Sequence, residues 1–429
     1  MLSLSLVLTT ALLAGPSSGP DLAPARLGAV VRRYLAAYSG AEYAHGSASA
    51  LHRIPAWARK YNVNCSACHT PAVPRLNEQG IRFKWAGYRM PDEIGEDVEV
   101  GKVQNYLAGG ASVEYEYDKT QGTPTNTSAF SLSSVSVFYA GPFGRNFSGF
   151  LELEHGADNE IERIGQLSAL WGKEGRYGGL RLGQMHYLAE WGVAGFDRAI
   201  GINAPLPIEE PITGATPFTL GEHQLGLEAF YVQGANRFSA QVLNGVNAEG
   251  MGAGADQDTR KDFLVTDQIL IDSAGSGIQG VAYYGTIRGL DASAPDAASH
   301  YWRLGLTANK IISDFELLGA VIYGKDTDLP VGGASGFTSA ENKGLGWWAS
   351  GQYTLDRAAE TPLTLFGRYE YLDPDTDAPD NANRRFVLGA VLPLNVPQYL
   401  RWAVEYHRDA PQGGALKTNN VITQIWLNF

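Results

Sequence analysis

From about residue 104 to the C terminus the chain breaks into sixteen short segments in which apolar and polar side chains alternate. They cover 104–117, 129–140, 147–155, 161–172, 177–187, 223–233, 237–246, 261–272, 276–288, 300–312, 314–325, 344–355, 361–373, 384–394, 398–409 and 419–429. A period of two gives a strand two different faces. A run of about ten residues is what a tilted strand needs to cross a bilayer. The connections are sorted as well. Those at 141–146, 173–176, 234–236, 273–275, 313, 356–360 and 395–397 are short, while those at 247–260, 290–299, 327–343 and 374–383 are longer and polar. Transmembrane barrels sort their loops in this way, with short turns at one end and long loops at the other. A soluble β-sandwich has no cause to do so. The expected fold is all-β, a 16-stranded antiparallel transmembrane β-barrel.

The faces agree with that expectation. In 398–409, Leu400, Trp402, Val404 and Tyr406 lie opposite Arg401, Glu405 and His407. In 361–373, Leu363, Leu365, Tyr369 and Tyr371 oppose Thr364, Arg368 and Glu370, and in 147–155, Phe147, Leu151 and Leu153 oppose Glu152 and Glu154. The last strand aligns Val421, Ile425, Leu427 and Phe429, an amphipathic end resembling the signal read by barrel-assembly machinery. A barrel of sixteen strands is expected to enclose water. The longest insertion, 188–222, is expected to be a surface loop, with folding into the mouth as the alternative.

Composition excludes several classes. The net charge is −12 and no basic stripe stands out, so no nucleic-acid partner is expected. Two cysteines cannot make a disulfide framework. No apolar run reaches the length of a spanning helix. Gly275-Ser276-Gly277-Ile278-Gln279-Gly280 matches a dinucleotide fingerprint but lacks the following helix. The run Asp373, Asp375, Asp377 and Asp380 reads as a solvated acidic loop.

Both cysteines fall in Cys65-Ser66-Ala67-Cys68-His69, the C-x-x-C-H pattern of c-type haem attachment. Two thiols at this spacing can each bond one porphyrin vinyl group, and the adjacent histidine then faces the iron. Zinc would need a second ligand pair, and a thioredoxin-type couple would need a βαβ setting. One covalent haem c is therefore expected at Cys65 and Cys68, with His69 as proximal iron ligand. Met90 is the first candidate for the sixth ligand, giving a Met/His iron of raised potential. His52 is the second candidate and His45 a more distant one. The haem segment is too short to bury much core by itself and needs support from cofactor and barrel.

At the N terminus, Leu2–Ala14 is apolar and of signal-peptide length but lacks a basic flank. Arg32 and Arg33 followed by a stretch ending in Ala48-Ser49-Ala50 give a second candidate export region. The expected organisation is residues 1–50 for export or as a flexible region, 51–100 for the monohaem segment, and 101–429 for the barrel.

The stretch Ile54-Pro55-Ala56-Trp57-Ala58-Arg59-Lys60-Tyr61, then Cys65 to His69, then Pro74-Arg75-Leu76-Asn77-Glu78-Gln79-Gly80, Phe83 and Gly87-Tyr88, carries a family resemblance. It resembles the fused outer-membrane cytochrome–porins of iron-oxidising bacteria. The resemblance implies a small cytochrome segment joined to a 16-stranded barrel, haem bonds at Cys65 and Cys68, iron ligation by His69, and oxidation of extracellular ferrous iron. Electrons would then pass to a periplasmic c-type cytochrome, in the manner of an iron(II):cytochrome c oxidoreductase. The expected setting is outer-membrane lipid, with the α-helical haem segment on the periplasmic side or inside the barrel lumen as a plug. Lumen carboxylates Glu152, Glu154, Glu370 and Glu405 are candidates for drawing cations inward. The rival readings are a diffusion porin with an accessory or sensory haem segment, and a conduit for a different extracellular donor.

Overall fold

The computed structural model describes residues 56–63, 67–70, 75–98, 102, 105–122, 126–156, 161–186, 200–221, 223–246, 259–291, 293–332, 336–356, 361–394 and 400–428. All belong to one compact unit, Gly46–Phe429. Among the described residues two helices come first, α1 (Ala56–Tyr61) and α2 (Glu78–Trp85), then a 3-10 turn at Pro91–Glu93. Sixteen strands follow: β1 (Leu107–Thr120), β2 (Asn126–Pro142), β3 (Phe147–Gly156), β4 (Ile161–Lys173), β5 (Arg176–His186), β6 (His223–Gln233), β7 (Asn236–Leu243), β8 (Asp262–Leu270), β9 (Gly277–Arg288), β10 (Ala298–Ile312), β11 (Phe315–Thr327), β12 (Asn342–Leu355), β13 (Leu363–Asp373), β14 (Asn383–Pro393), β15 (Leu400–Asp409) and β16 (Thr418–Asn428). A short helix α3 (Leu206–Glu209) lies between β5 and β6.

Every strand pairs antiparallel with its sequence neighbours, and β1 pairs with β16 to close a barrel. Each sequence segment became one strand, with ends shifted by a few residues. Closure leaves no edge strand with unpaired backbone groups, the condition for β-structure in hydrocarbon.

Outward positions carry large exposed apolar groups all round the wall, among them Leu153, Leu182, Phe263, Leu306, Leu317 and Phe386. A continuous apolar surface of this extent suits hydrocarbon rather than water. Many inward positions are polar or charged. Arg181 pairs with Glu228 at 3.0 Å, Arg237 pairs with the same carboxylate at 2.7 Å, and Arg303 pairs with Asp326 at 2.7 Å. In such dry surroundings a cation is stable only beside its counter-charge.

The segment at 200–221 corrects the expectation of a surface loop, because it runs into the lumen. Glu405 accepts the backbone N–H groups of Ile202 and Asn203 (2.5 and 3.4 Å), and Glu370 accepts that of Leu206 at 2.6 Å. Arg303 donates to the Thr213 and Thr216 hydroxyls at 2.6 and 2.8 Å. Leu206, Ile208, Ile212, Phe218 and Leu220 form one buried cluster with wall residues Tyr283, Tyr301, Ile322, Trp348 and Leu372. Part of the lumen is thus a packed core, where open water had been expected. Gly344 and Gly346 permit this approach, since a Cβ at Gly344 would lie 1.7 Å from the Ile212 carbonyl oxygen. Glu370 and Glu405 are fully buried and bonded to this segment, so they do not serve as solvent-facing cation attractors. Glu152 and Glu154 remain half-exposed on the inner face of β3.

Candidate functional site

The chemistry-bearing residues lie in the segment before β1, and helix α2 organises them. Asn77 caps α2, its side-chain oxygen accepting the Gly80 N–H at 3.0 Å, and Glu78 in the first turn bonds Arg82 one turn later at 2.8 Å. A side-chain acceptor satisfies a first-turn donor that the helix itself leaves open. The helix ends at Gly87, whose φ of +72° takes the chain out of α-geometry; its N–H bonds Lys84 O and that of Tyr88 bonds Phe83 O, each at 3.0 Å.

Ala67 and Cys68, within the C-x-x-C-H run, are folded onto the start of α2. The Cys68 carbonyl accepts the Asn77 N–H at 3.0 Å, and Asn77 Nδ2 donates to the Ala67 carbonyl at 3.1 Å. The loop comes so near that a Cβ at Gly80 would stand 2.1 Å from the Cys68 oxygen. Only glycine accommodates this contact. Cys65 lies outside the described residues, as do His45 and His52; Cys68 and His69 are both half-buried.

His69 Nδ1 donates to the backbone carbonyl of Arg75 at 3.2 Å. A carbonyl only accepts, so Nδ1 carries a proton. Metal-ligating histidines take this kind of backbone partner. The described donors, Cys68 and His69, are of the types that a haem c takes. Met90 bears on the same turn of α2: its Sδ lies 3.0 Å from Nε2 of Gln79, next to Gly80. It also packs against a buried cluster of Phe83, Tyr88 and Ala140. Around it, Trp57 stacks on Tyr88 at 5.5 Å and Tyr88 on Phe150 at 5.3 Å, so the aromatic group joins α1 to the inner face of β3.

A polar group closes the other side. Glu93 accepts from Tyr61 Oη at 2.5 Å, from Lys60 Nζ at 3.0 Å and from the Met90 N–H at 3.0 Å. Burial would raise the Glu93 carboxyl, but the hydrogen bonds from Tyr61 and Lys60 outweigh it and hold the group below the usual carboxylate range. Burial, with the bond to Glu93, pushes the Tyr61 phenol far above its ordinary value.

Contacts with the wall come from widely separated strands, all near the short turns. Ile81, Trp85 and Ala86 are buried among inward-facing Leu170, Tyr177, Phe230, Val232 and Leu270. Trp85 Nε1 donates to Gln268 at 2.9 Å, Arg82 to the Gly234 carbonyl at 2.7 Å, and Trp57 Nε1 to the Ala140 carbonyl at 2.7 Å. Arg89 is wholly buried and donates to the carbonyls of Arg145 (2.9 Å), Gly144 (3.1 Å) and Phe147 (2.5 Å) and to Ser148 Oγ (2.8 Å). The first glycine of the dinucleotide-like run serves this packing: Gly275, at φ +97°, lies where a Cβ would meet Leu76 O at 2.9 Å.

Asp373 accepts the Asp375 N–H and Asp375 the Asp377 N–H within their own loop, and Lys343 pairs with Asp377. No metal-binding group of three or more His, Cys, Asp or Glu occurs among the described residues.

The barrel resembles solved porins. An anion-selective porin from Comamonas acidovorans aligns at TM-score 0.54 and 12% identity over 75% of this chain and 98% of that one. The outer-membrane channel DcaP of Acinetobacter baumannii aligns at 0.53 and 11% over 75% and 96%. Salmonella typhi OmpF, solved with daunomycin, aligns at 0.53 and 13% over 75% and 97%. The fold is porin-like. No protein-family profile matches the sequence, and no curated protein matches it.

Arg75, Arg89, Trp85, Glu316 and the inserted 200–221 segment were not singled out as functional from sequence. Asn77 ahead of Glu78 was a readable cap signal. The partners of Arg75 and Trp85 are 241 and 183 residues away and leave no local trace.

Proposed function

We propose that this chain is an outer-membrane c-type cytochrome fused to a porin-like barrel, carrying electrons from an extracellular donor, ferrous iron first among candidates, to a periplasmic carrier. The observation that carries the reading is the C-x-x-C-H run whose described residues 67–69 lie against α2, with His69 Nδ1 bonded to a backbone carbonyl, in a segment bonded to inward-facing wall residues at the short-turn end. The porin-like fold and the apolar outer wall support the outer-membrane setting, whose short turns face the periplasm.

Cys65 and Cys68 would hold the haem covalently, and His69 would ligate its iron, with Met90 as first candidate opposite and His52 as second. Bound there, the haem supplies reversible one-electron transfer. The chain's own residues do the rest. Arg75 O fixes the His69 ring, and Phe83, Tyr88, Trp57 and Phe150 exclude water on the Met90 side. Arg89, Arg82 and Trp85 hold the segment as a plug at the periplasmic mouth. The apolar band is about 25 Å tall, so a centre raised into the barrel shortens the path from outside. Glu152 and Glu154 give the approach a negative wall.

Ferrous iron added to purified protein tests the proposal through haem absorbance. Rapid reduction is expected; covalent haem that ferrous iron leaves oxidised would point to another donor. Liposome swelling by sugars would favour a diffusion porin instead. Met90→Ala is expected to lower the midpoint potential, and an unchanged potential and spectrum would reject Met90 as ligand.

A further inference from the structure

We propose that Glu316, on the barrel wall, is a positioning residue for His69; the inference rests on the haem reading above. Arg75 bonds in two directions. Its backbone carbonyl accepts His69 Nδ1 at 3.2 Å and the Thr70 N–H at 3.0 Å. Its guanidinium is paired with Glu316, and the two side chains are only 3% and 4% exposed. Glu316 also accepts from Asn309 Nδ2 at 2.8 Å and from Gln352 Nε2, so neighbouring β10 and β12 both hold the carboxylate of β11.

A buried ion pair gains little net stability over apolar residues of the same shape, because both charges lose water. Its geometric effect is larger. The Arg75 carbonyl is aimed by a residue whose side chain is fixed to the wall, and the group on the Nδ1–H of a ligating histidine sets its orientation and basicity. The ring is thereby referenced to the barrel and not only to its own short segment. Glu316 also neutralises the buried Arg75 cation near the iron site. Without that carboxylate, the oxidised and more positive haem would be disfavoured and the potential would rise.

The test uses full-length haem-loaded protein in detergent, with potentiometric titration and the electron paramagnetic resonance spectrum of the ferric haem. E316Q should raise the midpoint potential and alter the ferric spectrum with haem content unchanged. Arg75→Gln combined with E316Q removes the stranded cation but keeps the carbonyl, and should return the potential toward wild type. Asn236→Ala cuts an exposed wall bond to Asp267 at the short-turn end and should move neither readout, which separates positioning from general loosening. If E316Q does not assemble, Gln352→Leu removes one partner of the carboxylate and should alter the same spectrum. An unchanged potential and spectrum in haem-loaded E316Q, or an unchanged spectrum in Gln352→Leu, overturns the proposal. Wild-type protein isolated without covalent haem would instead reject the haem reading itself.

Discussion

Gly80 shows how tightly one position can be bound to the chemistry. A methyl group there would stand 2.1 Å from the Cys68 oxygen, so either the C-x-x-C-H loop or α2 must move. Gly80→Ala should cost about 1–3 kcal/mol of local stability and lower the fraction of protein carrying covalent haem, as measured by absorbance per protein mass. Glu93 makes a second prediction, on pH. Its folded pKa is depressed, so its contribution to docking is fully present above the unfolded value of about 4.3 and is lost as pH falls through the lower folded value. Protease protection of residues 56–98 should therefore weaken in acid, and Glu93→Gln should flatten that dependence; an acid profile identical to wild type would contradict the assignment. At this scale the sequence is legible where a local signal decides, as at Asn77 ahead of Glu78, which caps α2. It is silent on Arg75 and Glu316, whose meeting depends on closure of a whole barrel.

Each strand announced itself, because a wall between lipid and lumen writes its two faces into every second residue. Strand β6 was placed at 223–233 and occupies His223–Gln233, whereas β7 was carried to 246 and stops at Leu243. The 200–221 segment was misread because Leu206, Ile208, Ile212 and Phe218 have neither strand nor long-helix periodicity; their partners Tyr283 and Trp348 arrive from the wall. Removing 203–218 and joining its ends with a short glycine–serine linker should raise solute conductance of the barrel in planar bilayers without unfolding the strands. The docked segment has its own weak point. Arg89→Ala leaves several carbonyls of the β2–β3 turn without their donor and should cost about 3 kcal/mol, read as earlier proteolysis of the segment at unchanged barrel melting.

At the scale of the whole molecule, two inward elements share one cylinder. Described residues of 56–98 bond to wall positions near the short turns, and 200–221 bonds to β10, β11, β13, β14 and β15 from the long-loop side. Porin-like walls ordinarily enclose water, and this one is occupied by helix, strap and aromatic clusters. The most direct measurement places the protein in liposomes with its long loops outward and an oxidised soluble c-type cytochrome trapped inside. Ferrous iron is then added outside while the absorbance of the trapped cytochrome is followed. The account predicts reduction of the trapped cytochrome at a rate that collapses in Cys68→Ala; a trapped cytochrome that stays oxidised beside an intact haem-loaded barrel would contradict it.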